Sequence, residues 1–363
     1  MRARTSGRRR SRTRTRLTPR AKAFVLGAVV VTGAAVGYFT LFPGRAPAFV
    51  RDAFSAVGLA DPPTCPLTGV AAPRGAVPER PTLAIKVENS PESRPQASLN
   101  DADIVVEEPV EGGYTRFIAI FHCGRSDRVG PVRSGRMTDP AYLRQFGDVV
   151  FGYAGGVSAV KAAVERAGLV DVNYIVAADA YTRDASRSGP HDLFTTTTAL
   201  WGAADKTGDA PSPVFAYSDE WDGKARRART VHLPYSGVSD VYWAWSRRDE
   251  TWLRSHGTTP HTLEDGSQVA ATNVVIQIVE VTDSRIIDAA GNASPDVELT
   301  GAGRAYVLRD GRMIAGRWER ESLDDVTRFA TRDGAEIKLA SGRTWVQLVP
   351  STVSVERVTP TDT

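Results

Sequence analysis

The sequence predicts an α+β protein with two domains behind an N-terminal transmembrane helix. Three observations support this fold class in the chain of 363 residues. An uncharged stretch follows a basic tail, strands alternate with helical segments over residues 81–225, and strands joined by hairpin turns dominate residues 226–350. Interleaved strands and helices are typical of α/β domains, and successive strands with tight turns are typical of antiparallel sheets. Residues 351–363 are predicted to be a polar tail.

The first 22 residues form a basic tail, which contains nine Arg, one Lys and no acid. Residues 23–42 carry no charge, and a helix needs about 20 such residues to cross the hydrocarbon core. A basic block before an apolar stretch keeps the N-terminus in the cytoplasm. The sequence therefore predicts a single-pass protein of the cell membrane with its C-terminal ectodomain outside. The alternative is a cleaved signal peptide, although signal peptides have apolar runs of only about 7–15 residues.

The charge of the chain is divided unequally. The whole chain carries +3 and the first 22 residues contribute +10, so the remainder carries −7. The basic character therefore belongs to the tail, where membrane topology and anionic lipids explain it. On this ground we expect no nucleic-acid partner for the ectodomain.

Residues 43–80 are rich in Pro, Ala and Gly, a composition that predicts an extended stalk. The chain has two cysteines, Cys65 and Cys123. Outside the cytoplasm disulfides persist, so these cysteines are candidates for a disulfide that would close a loop of about 60 residues. The alternative is that both remain unpaired.

The first domain is predicted from short β-prone runs and one capped helix. The helix extends from Ser158, which can cap it, to Ala167, before the terminating Gly168. The predicted strands cover residues 82–87, 104–106, 117–121 and 148–153.

The second domain is predicted to be mostly antiparallel β, because helical periodicity is scarce. Asp310-Gly311 and Asp333-Gly334 are typical hairpin turns. The predicted strands cover residues 241–245, 273–282, 305–308, 313–318, 328–330, 336–339 and 344–349.

Charged side chains lie where two predicted strands of the first domain meet their loops. Two arginines three residues apart occupy a Gly- and Pro-containing loop over residues 130–136. Arginines can hold a carboxylate or phosphate through paired hydrogen bonds, and a Glu can act as a general base. With one loop histidine, the candidate ligand-binding residues are Glu107, Glu108, Glu111, Arg116, Arg133, Arg136 and His191. The alternative is that these groups pair with one another and only fix the loops.

The sequence lacks motifs that would define a reaction. The loop over residues 130–136 does not end in the Gly-Lys-Ser/Thr of a P-loop, and no Gly-x-Ser-x-Gly turn is present. His122 beside Cys123 has no further close His or Cys, so we expect no metal site and no cofactor. The identity of any catalytic residue is left open.

A set of short motifs extends through both predicted domains. In the first domain it comprises Arg94-Pro-Gln96, Ala102-Asp-Ile-Val105, Glu111-Gly-Gly113 with Thr115-Arg-Phe117, Gly130-Pro-Val-Arg-Ser134 with Arg136, and Pro190-His191. In the second domain it comprises Arg254, Gly257, Pro260-His261, Asn273-Val-Val275, Asp310-Gly311, Gly316, Trp318, Gly342, Thr344-Trp345 and Pro350. These residues, from about Pro81 to Pro350, resemble the YerB-like family of bacterial cell-envelope proteins.

The resemblance implies a two-domain envelope protein, close to the cell-wall synthesis machinery, in a family without an established reaction. Its members are typically lipid-linked, whereas this chain has a predicted transmembrane helix, so Cys65 is not expected to carry lipid. We therefore expect a membrane-anchored binding or scaffold protein that grips an anionic ligand or partner, such as a cell-wall precursor or synthesis protein. One alternative is a hydrolase or transferase acting on cell-wall polymers with a Glu acid or base. Another is a purely structural partner of membrane enzymes.

Overall fold

The computed structural model describes residues 62–204, 208–287 and 291–358, which belong to one compact unit. The predicted basic tail and transmembrane helix, residues 1–42, lie outside these residues. Within the described ranges, no helix combines the length and apolar character needed to span a membrane.

The first half of the described chain contains seven strands and three α-helices. The strands are β1 (Thr82–Val87), β2 (Ile104–Pro109), β3 (Thr115–Phe121), β4 (Val149–Gly152), β5 (Val170–Asp171), β6 (Tyr181–Arg183) and β7 (Leu193–Thr195). The helices are α1 (Thr138–Leu143), α2 (Ser158–Arg166) and α3 (Thr197–Ala203). Helix α2 matches the predicted helix within one residue, but helices are fewer and shorter than an α/β domain usually has.

The second half contains strands and no α-helix among its described residues. The strands are β8 (Arg226–Arg227), β9 (Thr230–Pro234), β10 (Asp240–Ser246), β11 (Thr251–His256), β12 (Thr259–Pro260), β13 (Ala270–Ala271), β14 (Asn273–Val279), β15 (Val281–Ile287), β16 (Ala293–Val297), β17 (Gly301–Arg309), β18 (Arg312–Arg320), β19 (Arg328–Thr331), β20 (Thr344–Pro350) and β21 (Glu356–Val358). The protein is therefore mostly β with few helices. Residues 336–339, predicted as a strand, form only isolated bridges, through Glu336 to Ala330 and through Leu339 to Tyr217.

One large mixed sheet runs through both halves of the chain. Its order is β19-β18-β17-β14-β20-β2-β3-β1-β4-β5, and β8 adds to β18. The halves meet where β2 and β20 pair in parallel, with Val105 opposite Trp345. Strands β1, β14 and β20 are apolar runs buried along most of their length, as expected for strands covered on both faces.

A second sheet, of order β12-β11-β10-β9-β21 with β13 on β11, covers one face of the large sheet. Trp243 and Trp252 of the second sheet are fully buried, and the Trp243 ring lies 5.3 Å from the Trp345 ring of the large sheet. On the opposite face, Tyr142 and Val160 of the helices enter a separate apolar core. Burial of these aromatic side chains stabilises the two layers.

The start of the described chain is joined to the end of β3 by a disulfide between Cys65 and Cys123, 58 residues apart. The predicted pairing is confirmed. Cys65 and Leu67 are buried, so this part of the predicted stalk packs against the body of the protein. Residues 43–61 of the predicted stalk lie outside the described residues.

Candidate functional site

The loop over residues 130–136, hereafter the arginine loop, lies beside the ends of β1 and β4. The backbone N–H of Arg133 donates to the carbonyl of Lys86 at 2.9 Å, and its own carbonyl accepts from Ala154 N–H at 2.9 Å. The loop begins at Gly130, whose φ is +153°. A Cβ there would lie 2.7 Å from the Phe194 ring, so only glycine fits. Backbone bonds on both sides therefore hold the loop in place.

The structure brings the three predicted arginines together. Arg116, on β3, donates from Nη1 to the carbonyl of Ser134 at 3.0 Å. Arg136 grips Glu111 with Nε and Nη2 at 2.8 and 2.6 Å. Burial lowers the pKa of Arg116 to about 10, and the positive charges of Arg136 and Arg133 add to this effect. The site therefore holds three guanidiniums close enough to influence one another.

Arg133 is the arginine with unused hydrogen-bonding capacity. Its Nε lies 3.0 Å from Glu88 Oε1, but without the alignment of a hydrogen bond. Its guanidinium donates no hydrogen bond to any other described residue, and 25% of its side chain is exposed. Because a guanidinium has five N–H donors in a fixed fork, Arg133 can receive an external carboxylate or phosphate.

His191 reaches the same place from the loop before β7. Its Nδ1 lies 2.7 Å from Glu88 Oε2, and its side chain is 20% exposed. Glu88 thus lies between Arg133 and His191 at the end of β1. The sequence placed His191 in the candidate set, but it did not identify Glu88.

Glu111 is fixed at the rim of the site. Although burial acts in the opposite direction, hydrogen bonds from Arg136 and Ser294 hold the pKa of Glu111 below its usual range. Ser294 belongs to β16, so this carboxylate also ties the second half of the chain to the site. Glu111 is therefore an ionised anchor for Arg136.

A buried ion cluster underlies the arginine loop. Lys86 Nζ contacts Glu108 Oε1 and lies 2.7 Å from Asp139 Oδ1, and all three side chains are fully buried. Burial, followed by the negative charge of Asp139, raises the pKa of Glu108 to about 7. Asp139 also accepts from the Arg136 backbone N–H at 2.6 Å, so the cluster supports the loop.

We expect Glu108→Gln to remove a pH dependence of stability. Because the pKa of Glu108 is raised from 4.5 to about 7 on folding, the folded protein binds this proton more tightly than the unfolded chain. Stability should therefore fall as pH rises from about 4.5 to about 7 and then level off. Urea unfolding of both proteins at several pH values between about 4.5 and 7 measures the free energy of unfolding. The stability of the wild type relative to the Gln variant should decrease as pH rises, and a constant difference would contradict the assignment.

Glu107 lies on the opposite face of the sheet from Glu108. Arg254, on β11, holds it with Nη2 at 2.7 Å and Nε at 3.2 Å, and Gln347 donates to it at 2.9 Å. Arg254 also lies 2.8 Å from His261 Nδ1. Adjacent side chains of a strand point to opposite faces, so the predicted carboxylates are divided between two clusters. Glu107 is fully buried and is not part of the arginine-loop site.

Three charged residues of these clusters were not among the predicted site residues: Lys86, Glu88 and Asp139. The sequence also did not indicate that Arg254 pairs with Glu107. The available signal was Lys86 itself, a charge within the apolar run Thr82–Val87. A fully buried lysine needs an acidic partner, so its presence in a core strand implies carboxylates nearby. Sequence alone did not indicate which carboxylates these were.

The two halves of the chain match the two models of one protein family. Residues 67–210 match the N-terminal domain of DUF3048, a protein family of unknown function, and residues 231–346 match its C-terminal domain. The chain belongs to this family. The domain limits that the sequence suggested, at residues 225 and 350, stay predictions.

Within this family the chain is similar to the "Putative lipoprotein YerB" of Bacillus subtilis (strain 168). The two are 29% identical over 295 residues, which cover 78% of this chain and 86% of the relative. A crystal structure of YerB from Bacillus subtilis matches with a TM-score of 0.70 and 26% identity, over 81% of this chain and 99% of that chain. The resemblance to the YerB-like family seen in the motifs is thus confirmed.

Proposed function

We propose that this protein is a membrane-anchored binding module of the bacterial cell envelope, and that its arginine loop grips an anionic group. The group would belong to a cell-wall precursor or to a protein of cell-wall synthesis. The observation that carries the proposal is the guanidinium of Arg133, which is partly exposed and donates no hydrogen bond to another described residue.

The location at the membrane rests on two supports. The name of the Bacillus subtilis relative classes it with lipoproteins, which are held at a membrane from outside the cytoplasm. In this chain the uncharged residues 23–42 follow a basic tail, which suits a single-pass anchor with an extracytoplasmic C-terminal part. The Cys65 sulfur is bonded to Cys123 and has no free valence for a lipid.

The chemistry of the site fits an anion with two or more oxygen acceptors. Arg116 and Arg136 already hold Ser134 and Glu111, so they contribute charge and a fixed frame, whereas Arg133 offers unused donors. Hydrogen bonds from charged donors to carboxylate or phosphate are roughly twice as strong as neutral ones. Because Glu88 already lies beside Arg133, an anionic ligand must compete with this carboxylate for the guanidinium.

The carboxylates favour binding over hydrolysis. An acid or base must reach its substrate, but Glu107 and Glu108 are fully buried beneath other side chains. Glu111 is also buried, and its lowered pKa and its hydrogen bonds to Arg136 and Ser294 suit an anchor. These observations support the binding proposal over the hydrolase or transferase alternative.

A thermal-shift titration of the full-length chain tests the proposal. The probes are muropeptides, wall-lipid head groups, phosphorylated glycans and simple carboxylates. A ligand at about 100 times its Kd stabilises the native state by about 2.7 kcal/mol. We expect one probe class to raise the melting temperature of the wild type, and Arg133→Ala to abolish the rise.

The matched control is Arg144→Ala, which removes an exposed arginine that pairs with Asp324 at 2.5 Å. This variant should keep the full ligand-induced shift. Arg133→Ala removes the ion pair with Glu88, so some loss of stability is expected, but Glu88 keeps its contact with His191 and melting curves establish that the variant is folded. A ligand shift that persists in Arg133→Ala, or no shift with any probe, would exclude the arginine loop as the anion site.

A further inference from the structure

A second cationic surface lies where β8 joins the large sheet. It consists of five exposed arginines, hereafter the basic edge: Arg226, Arg227, Arg229, Arg312 and Arg357. Six strand steps separate β18, which carries this edge, from β1 of the arginine loop. With neighbouring strands about 4.8 Å apart, the two surfaces are on the order of 29 Å apart. The basic edge is therefore a separate site.

Arg227 contacts two other members of the basic edge, and none of the five arginines forms an ion pair with another described residue. Arg227 lies directly opposite Arg312 in the β8–β18 pair, so both side chains leave the same face. Arg357 donates from Nη1 to the carbonyl of Arg227 at 3.5 Å. Within the described ranges, no carboxylate lies within 4.0 Å of any of the five guanidiniums. Like charges directly opposite on neighbouring strands are destabilising, so this surface is suited to an external anion.

A nearby like-charged pair shows the contrast. Arg304 and Arg317 also face each other, on β17 and β18. There, however, Glu319 lies 2.9 Å from Arg317 Nη2 and supplies the counter-charge. The Arg304–Arg317 pair therefore has a carboxylate beside it, whereas the Arg227–Arg312 pair forms no ion pair with a described residue.

A groove opens beside the basic edge. On β18, Met313 pairs with Arg226 of β8 and Gly316 pairs with Thr331 of β19, which leaves residues 314–315 between the two partner strands. The cavity at this break has a volume of about 940 Å³. This volume lies within the range of about 300–1,000 Å³ that is usual for ligand sites.

The groove combines aromatic surface with charges of both signs. Trp221 and Tyr306 line it, together with four acidic and four basic side chains: Glu220, Asp222, Asp333, Glu336, Lys224, Arg226, Arg332 and Lys338. The indole N–H of Trp221 is buried and has no acceptor in the described part of the chain. Aromatic faces suit the apolar faces of sugar rings, and carboxylates can accept hydrogen bonds from hydroxyl groups. DNA has no free hydroxyl groups along its chain to donate to these carboxylates, so a hydroxyl-rich polymer suits the groove better than DNA.

We propose that the basic edge and the groove together bind a hydroxyl-rich polyanion, a chain of sugars or polyols that bears phosphate or carboxylate groups. The arginines bind its anionic groups, and Trp221 with Tyr306 contacts its sugar or polyol units. This proposal does not depend on the arginine loop. A net negative ectodomain is compatible with it, because the five arginines, which form no ion pair with a described residue, are concentrated on one edge.

The test measures binding of the full-length chain to four probes: poly(glycerol phosphate), polygalacturonate, neutral dextran and single-stranded DNA. We expect one anionic polymer to bind, with an affinity that falls as salt rises, and dextran not to bind. The phosphate and carboxylate polymers distinguish the two sources of charge. Arg227→Glu with Arg312→Glu should weaken binding at least tenfold. Trp221→Ala should also weaken it, while leaving the salt dependence of binding intact.

The control reverses the other pair, Arg304→Glu with Arg317→Glu, and should change affinity less than twofold. In an Arg133→Ala background, Arg227→Glu with Arg312→Glu should still weaken polymer binding at least tenfold, which separates this inference from the arginine-loop proposal. Melting curves establish that each variant is folded, and the four arginine positions of the two reversed pairs are exposed. Equal loss in both reversed pairs, tighter binding of DNA than of either anionic polymer, or no binding beyond dextran would overturn the inference.

Discussion

Arg254→Ala is expected to lower the free energy of unfolding by about 3–5 kcal/mol, the usual cost of breaking a buried ion pair. The change leaves Glu107 fully buried without its cation. It also removes one of the two hydrogen-bond partners of the His261 ring, the other being Gln96. Burial and the positive charge of Arg254 keep the pKa of His261 well below its usual range. Because Arg254 and Glu107 belong to different sheets, the loss should loosen the packing of one sheet on the other.

Urea unfolding followed by tryptophan fluorescence measures this effect, since Trp243, Trp252 and Trp345 lie in the same core. Arg128→Ala serves as the control, because Arg128 is 39% exposed and pairs with Glu264 at 2.7 Å and with Asp184 at 2.5 Å. Each such surface pair contributes about 0–1 kcal/mol. The double variant Glu107→Ala/Arg254→Ala should cost less than the sum of the single changes. If Arg254→Ala costs no more than Arg128→Ala, the pair does not join the two sheets.

Removal of the disulfide, through Cys65→Ala with Cys123→Ala, should cost about 4 kcal/mol in the loop-closure account. The bond spans 58 residues and fastens the first described residues to the end of β3. Without it, the unfolded chain gains conformational freedom, and the folded segment that contains Leu67 loses a covalent attachment.

Denaturant midpoints of the wild type and the double variant, each with and without a reductant, check this expectation. The reductant should lower the midpoint of the wild type towards that of the variant and should leave the variant unchanged. A wild type that is insensitive to reductant would show that the bond contributes no stability or is absent in solution.

The strands were predicted from the sequence with good success where apolar runs are long. Thr82–Val87 and Thr344–Pro350 lie in the centre of the large sheet, where both faces exclude water, so their composition alone marks them. In the first half the sequence indicated only one full helix, α2, because helix and strand signals mix in short segments such as α1 and α3. The pairing of β2 with β20 joins residues such as Val105 and Trp345, for which no local signal exists.

The candidate site was predicted in part. Arg116, Arg133 and Arg136 come together as expected, because their loops end at neighbouring strands. The carboxylates were harder to place, because alternation along β2 sends Glu107 and Glu108 to opposite faces and each finds its partner far along the chain. Arg254, the partner of Glu107, is 147 residues away. Contacts over such distances depend on the tertiary fold.

The central claim, that the arginine loop holds an anion, is tested most directly by chemical protection. The full-length chain is treated with phenylglyoxal, which modifies arginine, with and without the probe that gives the largest thermal shift. Mass spectrometry then follows each arginine. The account predicts that the bound anion slows modification of Arg133, which is 25% exposed, and leaves Arg144, 32% exposed, unchanged. Modification of Arg133 at the same rate with and without saturating anion would contradict the account.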